Sequence, residues 1–254
     1  NSWRQFNAQA KNSADRKAVF DEFVQKVDLV TATVKGMFDR SREVHNQYGL
    51  TPLDLYLELE GLSLAQLKDL VKTLAHAAMK PFIEQLEHYS QELNGRSPEY
   101  YDDLYCFRGK IFEPLDAAFK PFNAAEEPKR VLGKLGFRVE RLQTDTEERA
   151  GKHTSPVCFG IQIPSDVRLL VRPVKPFTDM ESSFHEHGHG MHFISISEDA
   201  PYWDKYTMPN GVAEIFSNLL ERLTKKHGFL TKYFRVSKDV AEEALQRTKF
   251  MELY

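Results

Sequence analysis

The chain has 254 residues, of which 41% are hydrophobic and 28% are charged, and its formal net charge at pH 7 is −3. This composition is ordinary for a soluble globular protein, and the length allows one large domain or two smaller ones. The small negative charge excludes a general electrostatic attraction to nucleic acid or to an anionic membrane, so we expect neither as a partner.

The cysteine content and the N-terminal residues bear on the cellular compartment. Cys106 and Cys158 are far apart in sequence, and neither belongs to a Cys-x-x-Cys pair. We therefore expect two free thiols in a reducing compartment rather than a disulfide. No apolar run approaches the roughly 20 residues of a membrane span, and the first residues lack the apolar core of a signal peptide. These features predict a cytoplasmic protein.

Residues 1–135 are predicted to be mostly helical. Apolar residues recur at spacings of three and four, and proline or asparagine-glycine pairs mark helix starts and ends. The predicted helical stretches lie within Ala18–Phe38, from Thr51 and Pro52 onward, over Leu64–Leu93 with an interruption at Pro81, and from Ser97 to Phe119.

Residues 136–176 are predicted to form a small antiparallel β-sheet. Its strands are expected at residues 137–143, Val157–Ile163 and Val167–Val171, where apolar and β-branched residues are frequent. Turn-forming residues at 164–166 predict a hairpin between the last two strands. Pro173 and Pro176 are expected to end the strand character, and residues 177–254 are predicted to be helical. The fold class is therefore mainly α with a small antiparallel β-sheet.

The segment Ser183–His192 contains the sequence His-Glu-x-x-His, formed by His185, Glu186 and His189. Residues four positions apart on a helix share a face, with side chains about 6 Å apart, so both imidazoles can reach one Zn²⁺ at about 2.1 Å. Glu186 is one position further round the helix, where its carboxylate can act on a metal-bound water without ligating the metal. The motif predicts one zinc ion, with Glu186 as general base.

A catalytic zinc usually has three protein ligands and one open position, so a third ligand is required. Residues 210–221 are predicted to form a helix whose apolar side chains separate from a polar side made of Glu214, Ser217, Asn218 and Glu221. That polar side faces either water or the helix that carries His185 and His189, here called the histidine helix. In the second case Glu214 completes the zinc site, and Glu221 hydrogen-bonds a ligand imidazole.

Taken together, these motifs resemble the M3 family of zinc oligopeptidases, the thimet oligopeptidase and oligoendopeptidase group. His185–His192 is similar to the family's H-E-F-G-H-x-x-H stretch, and Glu214–Glu221 is similar to its E-x-x-S-x-x-x-E helix. Glu214 lies twenty-five positions after His189, as the family's third ligand does. Gly151-Lys152, Cys158-Phe159 and Pro164–Arg168 resemble the strand region before the family's zinc helix.

The resemblance implies a zincin-like (gluzincin) helical metallopeptidase, with His185, His189 and Glu214 as zinc ligands and Glu186 as general base. Such enzymes cleave short, unstructured peptides inside a channel. Residues 1–135 would form the helical part of the channel wall, residues 136–176 the sheet, and residues 177–254 the helices of the zinc site, in one continuous catalytic segment. The substrate backbone would pair with an edge strand within Val157–Ile163. Glu221 and His192 are expected to support the metal ligands without binding the metal.

The sequence departs from the family pattern at three places. His187 stands where Phe is usual, and it is expected to point away from His189. Gly211 stands where many members carry Asp. The Tyr and His that stabilise the oxyanion in the family come from a Gly-rich loop further downstream than Tyr254. We therefore expect this chain to be a segment of a longer protein.

Two other interpretations remain open at this point. The chain could be a zinc-binding segment that captures peptides without turnover, because the oxyanion-stabilising loop is absent. It could also be a helical interaction protein in which His-Glu-x-x-His occurs by accident.

Overall fold

The structure, a computed structural model, describes residues 3–153, 155–172 and 174–254, with Gln5 described only in its backbone. Pro173, which the sequence marks as a strand breaker, lies outside these residues. The described chain forms two compact units: one contains the residues up to Ile111 together with Lys249–Tyr254, and the other is Phe112–Thr248. Among the described residues, no helix combines the length and the apolar composition that a membrane crossing requires.

The first unit is helical. Its described elements are α1 (Trp3–Gln9), α2 (Ser13–Asn46), α3 (Pro52–Leu59), α4 (Leu64–Asn94), a 3-10 turn at Tyr100–Asp102 and a π-helical turn at Leu104–Lys110. Helices α3 and α4 begin with capping boxes, in which Thr51 pairs with Asp54 and Ser63 pairs with Gln66. Gly95 ends α4 in the left-handed conformation, with φ of 70°.

One prediction for the first unit is wrong. Helix α4 continues through Pro81, although proline removes one backbone donor and usually interrupts a helix. The predicted helical run from Ser97 to Phe119 is confirmed in outline, but it begins at Tyr100 and is divided into a 3-10 turn, a π-helical turn and a separate α-helix at Glu113–Phe119 in the second unit. At the π-helical turn the backbone of α1 comes close, since a Cβ atom on Gly109 would lie 2.3 Å from the carbonyl oxygen of Ala8.

The second unit combines helices with a small sheet. Its described elements are α5 (Glu113–Phe119), α6 (Glu127–Lys134), a 3-10 turn at Val139–Arg141, β1 (Leu142–Asp145), β2 (Val157–Gln162), β3 (Asp166–Leu170), α7 (Pro176–Ser195), α8 (Tyr202–Tyr206), α9 (Asn210–Glu221), α10 (His227–Phe229), a π-helical turn at Leu230–Phe234 and α11 (Lys238–Leu253), whose residues from Lys249 onward count with the first unit. The mainly helical class with one small sheet is confirmed.

The sheet is mixed, so its predicted antiparallel arrangement is only half correct. The strand order is β1-β3-β2: β2 and β3 form the predicted antiparallel hairpin, whereas β1 pairs parallel to β3. The predicted first strand also begins late, because residues 139–141 form a 3-10 turn. The parallel pair arises because the chain reverses between β1 and β2 and places them on opposite sides of β3.

Lys152 holds the connection between β1 and β2. Its ammonium group is almost fully buried, at 1% side-chain exposure, and donates to the backbone carbonyls of Asp145, Glu147 and Val171. These carbonyls lie at the end of β1, in the connection and just past β3. One cation therefore satisfies carbonyl groups from three chain segments, which fixes the path of the reversal.

Helix α7 packs against the sheet on one side and against α9 on another. Leu142, Val167 and Leu169 are buried. A Cβ atom on Gly190 would lie 2.9 Å from a methyl carbon of Leu142, so α7 and β1 are in close contact. The sheet thus supports the histidine helix from the side away from α9.

Candidate metal centre

Helix α7 places His185 and His189 next to each other. Proline at the first helical position starts the helix, and Asp179 accepts hydrogen bonds from the backbone N–H groups of Val174 and Lys175. The two imidazole centroids are 4.9 Å apart, as expected for residues separated by one turn. Both rings are partly buried, with side-chain exposures of 26% and 15%.

Glu214 on α9 lies opposite both imidazoles. Its Oε2 atom is 3.4 Å from Nε2 of His185 and 3.6 Å from Nε2 of His189. One donor atom from each of the three residues lies within 4.8 Å of the others. The hydroxyl of Ser217, which is buried one turn further along α9, donates to the same Oε2 atom at 2.6 Å. The carboxylate is thereby oriented toward the imidazoles.

Each imidazole also makes a hydrogen bond to α9. His185 donates from Nδ1 to Oε2 of Glu221 at 2.7 Å, and this contact raises the pKa of His185. His189 hydrogen-bonds to the backbone of Ala213, although burial is the larger effect and lowers the pKa of His189. Nε2 of each ring faces Glu214. This is the usual arrangement of metal-binding histidines, which use one nitrogen for the metal and the other for an orienting partner.

Gly188 sets the distance between the two helices. A Cβ atom at this position would lie 2.4 Å from the carbonyl oxygen of Phe216 and 2.5 Å from Cα of Ser217. Backbone atoms cannot turn aside as a side chain can, so any other residue at position 188 would push α9 away. The close crossing is what brings Glu214 and Glu221 to the histidines.

The residues present suit a zinc ion. Two imidazole nitrogens and one carboxylate oxygen are ligands that catalytic zinc accepts. Donors that each lie about 2.1 Å from one ion at tetrahedral angles are about 3.4 Å apart. The distances from Glu214 to the two imidazole nitrogens match this spacing.

Glu186 lies beside the three-residue cluster and does not belong to it. Burial raises the pKa of its carboxyl group, while His185 and a backbone hydrogen bond from Cys158 on β2 lower it. The strand and the histidine helix therefore both contribute to the surroundings of this carboxylate.

The remaining histidines of α7 are placed apart from the cluster. His187 is fully buried; its Nδ1 donates to the carbonyl oxygen of Ser183 at 2.7 Å, and Nε2 has no hydrogen-bond partner among the described residues. His192 packs against the ring of Phe216, with centroids 4.6 Å apart, and its Nδ1 has no partner within the described part of the chain. Glu221 therefore contacts a candidate metal ligand, as its predicted supporting role requires, whereas the contact described for His192 is the packing against Phe216.

Helix α9 directs Glu214, Ser217 and Glu221 of its polar side toward α7, which is one of the two orientations that its sequence allows, while Asn218 is exposed and Leu220 of the apolar side is buried. Ser217 is fully buried, whereas Val212, Ile215 and Leu219 are each more than 40% exposed. Sequence reasoning did not identify Ala213, Gly188 or Lys225, which contacts Glu221 at 2.6 Å. The close spacing of Gly188 and the two histidines is the only sequence signal that could have indicated a tight helix crossing.

Comparisons with protein-family models, with curated proteins and with solved structures give no match to this chain.

Proposed function

We propose that this chain carries the zinc site of a metallopeptidase that hydrolyses short peptides, with a zincin-like arrangement similar to that of the M3 oligopeptidases. The observation that carries the proposal is the convergence of His185, His189 and Glu214, each with its donor atom oriented by a further hydrogen bond. Such a set of oriented donors is not expected from an accidental motif on a solvated helix.

The roles of the residues follow from their positions. A zinc ion held by His185, His189 and Glu214 would lower the pKa of a water to about 7 and polarise a scissile carbonyl. Glu186, adjacent to the cluster and partly buried, would accept the proton of the attacking water and deliver it to the leaving amine. Glu221 would keep the Nδ1 proton on His185, so that Nε2 stays free for the metal.

In this proposal the substrate backbone would lie beside Glu186. Strand β2 lies at an edge of the sheet, and one of its residues, Cys158, hydrogen-bonds to Glu186 through the backbone. The N–H of Ile163, just past the strand, is already bonded to the hydroxyl of Tyr206. Because the N–H groups of Cys158 and Ile163 are already bonded, a peptide added as a further strand would pair with the remaining backbone groups of Val157–Gln162, which would select for extended backbone more than for side chains. Both cysteines are free thiols, which fits the proposed cytoplasmic location.

The substitution Glu186→Gln tests the proposal. It removes the base while keeping the size of the side chain, so we expect zinc content to stay equimolar and peptide cleavage to fall by about 10²- to 10⁴-fold. Zinc is measured by atomic absorption after dialysis, and cleavage by mass spectrometry of a peptide mixture. Glu58→Gln, an exposed position on α3, is the control. Cleavage by Glu186→Gln at the parent rate would contradict the role of Glu186.

The same assay separates the alternatives. Parent protein that binds zinc and peptide, as measured by calorimetry, but gives no product would favour a peptide-capture segment. Parent protein purified without stoichiometric metal would favour the accidental motif and overturn the proposed function.

A further inference from the structure

Lys225 lies in the turn that follows α9, and its ammonium group is close to the metal centre without being part of it. Its Nζ is 2.6 Å from Oε1 of Glu221, whose other oxygen accepts the Nδ1 hydrogen bond of His185. The same Nζ is 3.4 Å from Oε1 of Glu181 on α7. The side chains of Lys225, Glu181 and Glu221 have exposures of only 16 to 18%.

These contacts form a chain of charges that ends at a metal ligand. Both oxygens of the Glu221 carboxylate are in contact with a partner: one accepts the hydrogen bond of the His185 imidazole, and the other contacts the ammonium group of Lys225. A carboxylate held at both oxygens has little freedom to rotate. Because solvent reaches this group poorly, water would compensate only weakly for the loss of either contact.

Lys225 also neutralises a like-charge contact. Glu181 and Glu221 share one ammonium group, and two poorly solvated carboxylates repel each other when no cation lies between them. Without Lys225, this repulsion would favour rotation of Glu221 away from Glu181, and we expect such a rotation to weaken the hydrogen bond to His185.

We propose that Lys225 is a positioning residue that fixes Glu221 against His185 and thereby sets the zinc affinity of the centre. The inference rests on the zinc-binding part of the proposed function and extends it, because the supporting groups of the metal site then reach from α7 through the turn after α9. Lys225 would act only through Glu221 and would touch neither metal nor substrate.

The test is the zinc dissociation constant, measured by competition with a chromophoric chelator. We expect Lys225→Met to raise it by about 10-fold, the lower end of the range for losing a direct partner of a metal ligand, because Lys225 acts on His185 through Glu221. Lys225→Arg, which keeps the charge, is expected to restore a value close to that of the parent. Lys226→Met, the same change at the exposed neighbouring residue, is the matched control and is expected to have no effect.

A double-mutant comparison separates positioning from a general structural role. In a Glu221→Gln background, the carboxylate of Glu221 is gone and only the contact of Lys225 with Glu181 is left, so we expect Lys225→Met to cause no further loss of zinc affinity. An equal loss in both backgrounds, or no loss in the parent background, would overturn the inference. Lys225→Gln serves as a second variant if Lys225→Met does not fold, as judged by circular dichroism.

The parent protein distinguishes failure of the inference from failure of the proposed function. If the parent binds no stoichiometric zinc, the proposed function is wrong and the inference falls with it. If the parent binds zinc and Lys225→Met binds it equally well, only the inference is wrong. Neither result depends on measuring peptide cleavage.

Discussion

His187 shows how a single residue of the histidine helix can affect stability rather than chemistry. It is fully buried, its Nδ1 is bonded to Ser183, and burial lowers the pKa of its imidazole from 6.5 to about 4. The folded state therefore holds this ring neutral at pH values where the unfolded chain takes up a proton. Its contribution to stability is complete above pH 6.5 and is lost as the pH falls toward 4.

We expect the metal-free protein to lose on the order of 2 kcal/mol of unfolding free energy between pH 7 and pH 5 through His187 alone, since each pKa unit corresponds to about 1.4 kcal/mol. The measurement is urea denaturation with a chelator present. His187→Phe should reduce this pH dependence, because phenylalanine takes up no proton. His76→Phe, at an exposed position on α4, is the control. An unchanged pH dependence in His187→Phe would contradict the assignment.

At the scale of elements, the crossing of α7 and α9 determines whether the metal donors meet. Gly188→Ala would place a methyl group 2.4 Å from the carbonyl oxygen of Phe216, so α9 must move. Overpacking of this kind typically costs about 1–3 kcal/mol of stability. We expect it also to separate Glu214 from the histidines and to weaken zinc binding.

Chelator competition and thermal denaturation of Gly188→Ala test this expectation. Gly228→Ala is the matched control, because a Cβ atom on Gly228 meets nothing within 4 Å. If Gly188→Ala binds zinc as tightly as the parent, the close crossing is not what positions the donors.

The elements also show what the sequence could and could not predict. The hairpin of β2 and β3 and the starts of α3 and α4 were predictable, because turn and capping residues act locally. The parallel pairing of β1, the 3-10 and π-helical turns near Gly109 and the orientation of α9 were not. Each of these depends on contacts with distant parts of the chain, such as Ala8 beside Gly109. The period of apolar residues on α9 defines two sides but does not tell which one is buried.

At the scale of the whole molecule, zinc binding should be visible as added stability. All three donors belong to the unit Phe112–Thr248, and a ligand that binds only the folded state stabilises it by RT ln(1 + [L]/Kd). At free zinc of one hundred times Kd, we expect an increase of about 2.7 kcal/mol in the free energy of unfolding.

Differential scanning calorimetry and amide hydrogen exchange check this prediction. Zinc should slow exchange in α7 and α9, and α2 serves as the internal reference. Glu214→Ala removes one of the three donors and should abolish the zinc-dependent increase at the same zinc concentration. A stabilisation of Glu214→Ala equal to that of the parent would show that zinc acts elsewhere on the chain.

The donor set itself was accessible to sequence reasoning because His185, His189 and Glu214 are separated by fixed numbers of residues along two helices. The contacts that orient them were less accessible. Ala213 contributes a backbone group, Gly188 matters because it has no side chain, and Lys225 contacts Glu221 rather than one of the three candidate ligands. The residue type does not reveal main-chain contacts or close packing of helices, so these features can be recognised only in the structure.

The hydrogen bond that reaches Glu186 from position 158 is made by the peptide backbone. Nineteen of the twenty encoded amino acids carry that N–H group, and proline alone lacks it. Cys158 can therefore be replaced by almost any residue of suitable size without loss of this hydrogen bond to Glu186. Natural variation at this position should therefore follow the space available beside α7 rather than the chemistry proposed for Glu186.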